Sequence, residues 1–201
     1  MITGGNTPAD ATTARLRLFI LGDSIARGSD EGGYGPHGWP ALVAARLGLT
    51  LTLDGEGGTG YTTAGPQPGR RPYTQRVNDV VAAEPDLVVI EGSANDVSRS
   101  QTQTAAVETL RQIRARLPHA RILVIGPIYS FAQPIGSTPV DEAVGAAAMK
   151  LGLPYVSAVQ RGWFRGSAHQ LIGSDGVHPT DAGHEYLAEQ IRPEVSRLLQ
   201  S

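Results

Sequence analysis

The chain has 201 residues, and its 17 basic and 19 acidic side chains give a formal net charge of -2 at pH 7. No block of lysine and arginine could follow a phosphate backbone, and this argues against nucleic acid as a partner. The absence of cysteine excludes disulfides, thiolate catalysis and cysteine-based metal centres.

The beginning of the chain differs in composition from the rest. Residues 1–14 are rich in glycine, threonine and alanine and have no apolar periodicity, so we expect a flexible N-terminal arm followed by a single domain over 15–201. This segment lacks the basic and apolar regions of a secretory signal, and no apolar run reaches the roughly 20 residues of a membrane span. We expect no stable membrane insertion. A cytoplasmic protein and a mature secreted protein both remain open, as does the oligomeric state.

Apolar segments of strand length alternate with segments of helical spacing along the chain. Strands are predicted at 16–21, 49–53, 87–90, 122–125 and 155–156, and helices at 37–47, 73–83, around 106–117, 140–151 and 181–199. Pro193 is expected to bend or interrupt the last helix. The alternation predicts an α/β fold, a three-layer α/β/α sandwich around a flavodoxin-like parallel sheet of about five strands. Ligands bind outside the carboxyl ends of such strands, so the residues that follow each strand are the functional candidates.

A serine follows the first predicted strand, in the sequence Gly22-Asp23-Ser24-Ile25. At this turn its hydroxyl can stand at the rim of the sheet, and Gly22 and Gly28 allow the backbone to bend sharply. The alternative is a serine that caps the next helix.

A glycine-rich loop, Gly55 to Gly60, follows the second predicted strand and formally matches the dinucleotide fingerprint G-x-G-x-x-G. That fingerprint must open into a helix, whereas residues 61–72 contain three prolines and two further glycines. The context therefore favours a loop that offers a backbone N–H to a substrate oxygen over a cofactor site.

Polar residues also follow the third predicted strand and precede the last helix. Asn95 is either a turn residue or a neutral donor to an anionic oxygen, and Asp96 is expected to cap or precede the next helix. Asp175 and His178 lie three residues apart on a turn, a spacing that lets the carboxylate reach one imidazole nitrogen while the other points elsewhere. A surface Asp-His pair is the alternative.

Together these four segments resemble the SGNH, or GDSL-like, hydrolase family, whose signature residues Ser, Gly, Asn and His occur in this order. The resemblance extends from Gly22 to Pro179 and implies the SGNH hydrolase fold. It departs from the usual pattern at Ile25, where the family usually has leucine, and at Ser93, where it commonly has glycine.

The resemblance implies roles for particular residues. Ser24 would be the nucleophile, activated by His178 and Asp175, and the N–H groups of Ser24 and Gly60 with the amide of Asn95 would form the oxyanion hole. Gly60 is chosen over Gly57 and Gly58 because Tyr61-Thr62 follows it. Residues expected to line the substrate pocket are Asp23, Trp163 and Phe164.

The implied activity is hydrolysis of short-chain acyl esters, with acetylated carbohydrates among the possible substrates, through an acyl-enzyme and without a cofactor. No metal is expected, because the five histidines show no ligand spacing. Thioesterase, lysophospholipase and acyltransferase activities of the same family remain open, and so does a carbohydrate-binding module that has lost catalysis. The presence of every triad member favours an enzyme.

Overall fold

The computed structural model describes residues 15–130 and 139–200, so the predicted arm at 1–14 lies outside the described residues. Its strands are β1 (Arg17–Gly22), β2 (Thr50–Gly55), β3 (Leu87–Glu91), β4 (Arg121–Ile125) and β5 (Tyr155–Val156). Its helices are α1 (Ser24–Arg27), α2 (Trp39–Leu47), α3 (Tyr73–Ala82), α4 (Arg99–Arg116), α5 (Pro139–Lys150) and α6 (Asp181–Leu198). Two short 3-10 helices cover Gly35–His37 and Gly166–Leu171.

The five strands form one parallel sheet in the order β2-β1-β3-β4-β5. This is the flavodoxin-like order, in which the direction of strand addition reverses between β1 and β3. The predicted fold class is therefore confirmed. The loops that leave β1 and β3 diverge at this point and open a crevice at the carboxyl edge of the sheet.

Side chains alternate between the two faces of the sheet and build two separate apolar clusters. Leu18 and Ile20 of β1 pack with α2 and α6 in the first cluster, whereas Phe19 and Leu21 pack with α3, α4 and α5 in the second. Each cluster covers one face, which explains why the central strands are apolar at nearly every position. The sheet is thus fixed between two helical layers.

The last helix runs from Asp181 to Leu198 without interruption at Pro193. Proline removes one hydrogen bond from a helix interior. Ile191 and Val195 are fully buried on either side of it, and burial of such a side chain contributes roughly 1.5–3 kcal/mol. Packing against the sheet therefore maintains the helix through the proline. None of the helices in the two described ranges has the length and apolar character needed to cross a bilayer.

Candidate active site

A hydrogen-bonded chain of three side chains lies at the carboxyl edge of the sheet. His178 Nε2 is 2.9 Å from Ser24 Oγ, and His178 Nδ1 is 2.5 Å from Asp175 Oδ2. The other carboxylate oxygen of Asp175 accepts the N–H groups of Val177 and His178, at 2.8 and 2.9 Å. The structure thus brings together Ser24, His178 and Asp175 across 154 residues of sequence. This arrangement can move a proton from the serine to the imidazole.

The carboxylate of Asp175 is held in its ionised form. Partial burial acts to raise the pKa of Asp175, but the hydrogen bonds from the His178 side chain and from the two backbone N–H groups outweigh it and lower the pKa below its ordinary value. An ionised carboxylate at this position orients the imidazole ring and stabilises it when it is protonated.

The serine stands on a tight turn at the end of β1. Asp23 caps the four-residue helix α1 by accepting the N–H of Ile25 at 2.7 Å, and Ser24 is the first residue of that helix. The capping role that was the alternative for Ser24 therefore belongs to Asp23. The N–H of Ser24 donates to no acceptor in the part of the chain that the structure describes, and this leaves it available to an anionic oxygen.

The N–H of Gly60, which the resemblance implies for the oxyanion hole, is engaged within its own loop. The N–H of Gly60 donates to the carbonyl oxygen of Thr63 at 2.9 Å, so it is not available to a substrate. A Cβ atom built on Gly60 would lie 2.6 Å from the carboxyl group of Asp96. Glycine is required here because the loop passes directly over that carboxylate.

Asp96 precedes helix α4, as expected, but its side chain does not cap that helix. Its carboxylate accepts the N–H groups of Tyr61, Thr62 and Thr63 and both threonine hydroxyls, at 2.7 to 3.2 Å. Helix α4 is instead capped by Ser98. Asp96 therefore ties the loop after β2 to the loop after β3, a contact that no local pattern reveals.

Gly57, in the same loop, lies beside the nucleophile. A Cβ atom built on Gly57 would lie 3.4 Å from Ser24 Cβ. Within the described ranges, the N–H groups of Gly57 and Gly58 have no hydrogen-bond acceptor. Gly57 therefore takes the place next to Ser24 that the sequence assigned to Gly60.

Asn95 lies at the same edge, but its amide is engaged. Asn95 Nδ2 is 2.9 Å from Ser93 Oγ, 3.0 Å from the carbonyl oxygen of Thr59 and 3.2 Å from Asp23 Oδ2. An amide has two hydrogens for these three acceptors. Donation from Asn95 to a substrate oxygen therefore requires the amide to give up one of these partners, contrary to the free donor that the sequence analysis expected.

Ser93 links the nucleophile turn to this asparagine. Its hydroxyl donates to Asp23 Oδ2 at 2.5 Å and accepts the N–H of Asn95 at 3.1 Å. Burial raises the pKa of Asp23, and the hydrogen bonds from Ser93 and from the Ile25 N–H oppose that rise. The side chain that replaces the usual glycine thus joins the loops after β1 and β3.

The cleft around Ser24 has a volume of about 480 Å³. Its lining combines short apolar side chains with glycines and polar groups from the loops after β1, β2 and β3, and includes the buried Asp23. Trp163 and Phe164, predicted to line this pocket, are not among its residues. Both are buried in the cluster formed with α2 and α6, where Phe164 packs against Tyr186. Both rings therefore belong to the apolar core below the site and not to the cleft.

Sequence reasoning missed two residues that hold the site together. Glu31 accepts the N–H of Ser174, the hydroxyl of Ser174 and the N–H of Asp175, at 3.0, 2.6 and 3.1 Å. These bonds, above all that from the Ser174 hydroxyl, lower the pKa of Glu31. Glu31 therefore fixes the loop that carries Asp175 and His178.

The second missed residue is Arg76, which is fully buried on α3. It donates to Asp54 Oδ1 at 2.8 Å, to the carbonyl oxygen of Gly22 at 3.0 Å and to the Thr59 hydroxyl at 3.1 Å. Arg76 thus holds the ends of β1 and β2 and the glycine loop in one arrangement. An arginine within a predicted helix offers no sequence signal of such burial.

Comparisons with known proteins show which family this chain resembles. A model of the GDSL-like lipase/acylhydrolase family matches residues 20–186. The chain is 36% identical over 196 residues to GDSL lipase Rv0518 of Mycobacterium tuberculosis, covering 90% of this chain and 82% of that protein. It is 29% identical over 204 residues to esterase TesA of Pseudomonas aeruginosa, covering 92% of this chain and 90% of that protein.

A solved structure of similar fold is the family 2 carbohydrate esterase with a carbohydrate-binding domain from Corynascus thermopiles (Myceliophthora fergusii). The TM-score is 0.71 at 20% identity, covering 98% of this chain and 69% of that chain. At this level of identity the likeness concerns the fold alone.

Proposed function

This chain belongs to the GDSL-like lipase/acylhydrolase family of ester-hydrolysing enzymes, and from this premise we propose that it is a serine esterase that removes short acyl groups through an acyl-enzyme at Ser24. The observation that carries the proposal is the continuous contact from Ser24 Oγ through His178 to Asp175. Such a contact activates a hydroxyl that is a poor nucleophile by itself at neutral pH.

The steps of the reaction follow from this arrangement. Ser24 Oγ attacks the acyl carbonyl carbon while His178 Nε2 accepts the hydroxyl proton, and His178 then returns that proton to the leaving alcohol. Water next attacks the acyl-enzyme with His178 again as base, and it releases the acid and restores Ser24. Asp175 stays ionised and keeps the imidazole aligned.

The negative charge of each tetrahedral intermediate needs donors near Ser24. We assign the N–H groups of Ser24 and Gly57, which are without acceptors in the described residues. The amide of Asn95 is the third donor and exchanges one of its present acceptors for the oxyanion. A donor of this kind contributes roughly 10² to 10³-fold to turnover, so Asn95→Ala should lose activity by that order.

The substrates that we propose have a short acyl group, with acetyl esters of carbohydrates as one class. Support comes from the cleft, whose apolar lining includes the small or branched side chains of Ile25, Ala94 and Val177. A family 2 carbohydrate esterase shares the fold. Short side chains and an open, partly polar lining suit a small acyl group on a hydrophilic alcohol.

A fluorophosphonate probe tests the chemistry. The purified protein should carry the adduct on Ser24, and labelling should vanish in Ser24→Ala and in His178→Ala. Both variants should lose ester hydrolysis by about 10⁴-fold or more. Ser100→Ala and His119→Ala, at exposed positions, are the matched controls and should keep both labelling and turnover. An adduct on another serine, or near-parental turnover by Ser24→Ala, would refute the assignment.

A panel of substrates tests the specificity. 4-Nitrophenyl esters of two to twelve carbons and acetylated xylose should show the highest kcat/KM for the shortest acyl chains. A maximum at long chains, preference for acyl thioesters, or transfer to an added alcohol in place of hydrolysis would reassign the enzyme to a lipase, thioesterase or acyltransferase.

A further inference from the structure

Two arginine side chains border the cleft that contains Ser24. Arg27 is the last residue of α1, and Arg70 lies in the loop between β2 and α3. The proposed hydrolysis uses neither of them. Arg27 comes from this helix and Arg70 from the loop, and their guanidinium groups lie near each other beside Gly57.

The distances around Gly57 define this meeting point. A Cβ atom built on Gly57 would lie 2.8 Å from Arg70 Nη1, 3.5 Å from Arg27 Nη1 and 3.4 Å from Ser24 Cβ. The two guanidinium groups and the nucleophile therefore surround one small space. Two positive charges that share such a space repel each other unless an anion lies between them.

No carboxylate provides that anion in the described parts of the chain, where neither Arg27 nor Arg70 forms an ion pair. Their neighbours behave differently, since Arg71 pairs with Glu56 and Asp79, and Arg76 pairs with Asp54. The cleft also contains Asp30, which accepts the Tyr34 hydroxyl at 3.5 Å, and the buried Asp23, which is bound to Ser93. Both arginines thus remain available to a ligand.

Each arginine is also held in position. Arg70 Nη2 donates to Gln67 Oε1 at 2.5 Å, and its Cδ atom lies 3.3 Å from a Cβ built on Gly65. The guanidinium of Arg27 lies 5.7 Å from the centre of the Tyr34 ring. Long side chains that are already ordered lose less conformational entropy when they bind a ligand.

We propose that Arg27 and Arg70 form an anion-recognition site, and that the preferred substrates are esters with a carboxylate or phosphate group close to the scissile bond. This inference rests on the proposed esterase function and specifies its substrate class. Guanidinium groups fit carboxylate and phosphate oxygens with paired hydrogen bonds. The anion would sit beside Gly57 and hold the acyl carbonyl carbon near Ser24 Oγ.

Matched substrate pairs test the proposal with the purified full-length chain. On the acyl side, mono-4-nitrophenyl succinate is compared with neutral 4-nitrophenyl butyrate. On the alcohol side, 2-acetoxyethyl phosphate is compared with 2-acetoxyethanol. The ratio of kcat/KM for the anionic to the neutral ester is the readout, measured by nitrophenolate absorbance or by acid release. A preference in one arm identifies which of the two combinations, an acyl-side carboxylate or an alcohol-side phosphate, the site binds.

The expected result is a ratio above one in at least one arm. It should fall by about tenfold in Arg27→Gln and in Arg70→Gln, and further in the double variant, since a hydrogen bond to a charged group contributes at least this much. Raising the salt concentration should lower the ratio in the parent, because partly exposed charges are screened. Arg111→Gln on α4, where the arginine pairs with Glu108 at the surface, should keep the parental ratio.

The outcomes separate this inference from the function on which it rests. Hydrolysis of the neutral esters with a ratio of one or less in both arms would overturn the anion site and leave the esterase intact. The same holds if the ratio is unaffected by the double substitution. Absence of hydrolysis and of Ser24 labelling would overturn the esterase itself and the anion site with it.

Discussion

Glu91 is fully buried at the end of β3, directly beneath the turn that carries the nucleophile. A Cβ atom built on Gly22 would lie 2.7 Å from Glu91 Oε2, which shows how closely the carboxyl group approaches β1. Burial raises the pKa of Glu91 well above its ordinary value, and the neighbouring Asp23 adds to the rise. Burial of a carboxyl group without a side-chain partner thus favours the neutral, protonated form of Glu91.

Replacing Glu91 with glutamine should stabilise the protein at high pH. Below the ordinary pKa of 4.5, both the folded and the unfolded chain carry a protonated Glu91. Above it only the unfolded chain ionises, so the parent loses stability as pH rises. Glu91→Gln removes this loss, and its melting temperature should exceed the parental one by at least ~2 °C at pH 8. Calorimetry at pH 4.5 and 8 measures both melting temperatures. If the difference between variant and parent does not grow with pH, the prediction is wrong.

His184 is a buried base with the opposite dependence on pH. Its Nδ1 accepts the N–H of Trp39 at 3.3 Å, and burial lowers the pKa of His184 from 6.5 to about 4. The folded chain therefore keeps His184 neutral. As pH falls below 6.5 the unfolded chain takes up a proton that the folded chain does not, so stability is lost progressively until pH 4.

A substitution of His184 should reduce the loss of unfolding free energy that occurs as pH falls. In His184→Asn the side-chain oxygen occupies the position of Nδ1 and can still accept the N–H of Trp39. Urea unfolding at pH 7 and pH 4.5 should show that the parent loses up to about 3 kcal/mol more than the variant over this interval. Equal losses in the two proteins would mean that His184 is not responsible for the acid sensitivity.

At the scale of the elements, one side chain of α3 determines how β1 and β2 end. Arg76 joins the carbonyl oxygen of Gly22 to Asp54 and Thr59, and its guanidinium lies 4.7 Å from the centre of the Tyr73 ring. The two strands pair in register as far as Gly22 and Gly55. At that point the carbonyl oxygen of Gly22 accepts both the N–H of Glu56, at 3.2 Å, and the guanidinium of Arg76, at 3.0 Å.

Removing this arginine should affect stability strongly. Arg76→Leu leaves the carboxylate of Asp54 without its partner, and the loss of one member of a buried ion pair costs roughly 3–5 kcal/mol. Urea unfolding at pH 7 measures the change. Arg111→Leu is the matched control, because its exposed pair with Glu108 should contribute about 1 kcal/mol or less. A loss of similar size in both variants would exclude the bridging role.

At the scale of the whole molecule, the two apolar clusters share one sheet. Leu18 and Ile20 face the first cluster, and Phe19 and Leu21 face the second. Neither helical layer can separate without exposing an apolar face of the same strands. We therefore propose that residues 15–201 form one cooperative unit, as expected from the length of the chain.

Unfolding with urea should show a single transition, and the aromatic residues report on both clusters. Both tryptophans, Trp39 and Trp163, lie in the first cluster, while Tyr61 and Tyr73 lie in the second. Tryptophan fluorescence and the near-ultraviolet tyrosine signal should give the same midpoint. Two midpoints would show that the layers unfold independently.

The sequence by itself determined the strands and the fold class, although it did not predict α1 and placed the start of α4 seven residues too late. The strands were predicted to within two residues, because strands covered on both faces are continuous apolar runs between polar loops. Ser24 and Asn95 follow such runs and His178 precedes the last helix, and the resemblance of this pattern to the GDSL-like family predicted an ester hydrolase. These signals are local, since each depends on a short stretch of chain and on the edge of the sheet where it ends.

The tertiary structure alone decided which groups face the cleft. Gly57 rather than Gly60 lies against Ser24 because Asp96, from another loop, occupies the N–H groups that follow Gly60. Trp163 and Phe164 turn into the core, while Arg27 and Arg70 turn toward the nucleophile. The orientation of these side chains depends on contacts between loops that are distant in sequence. The periodicity or spacing within one loop does not indicate which other loop it contacts.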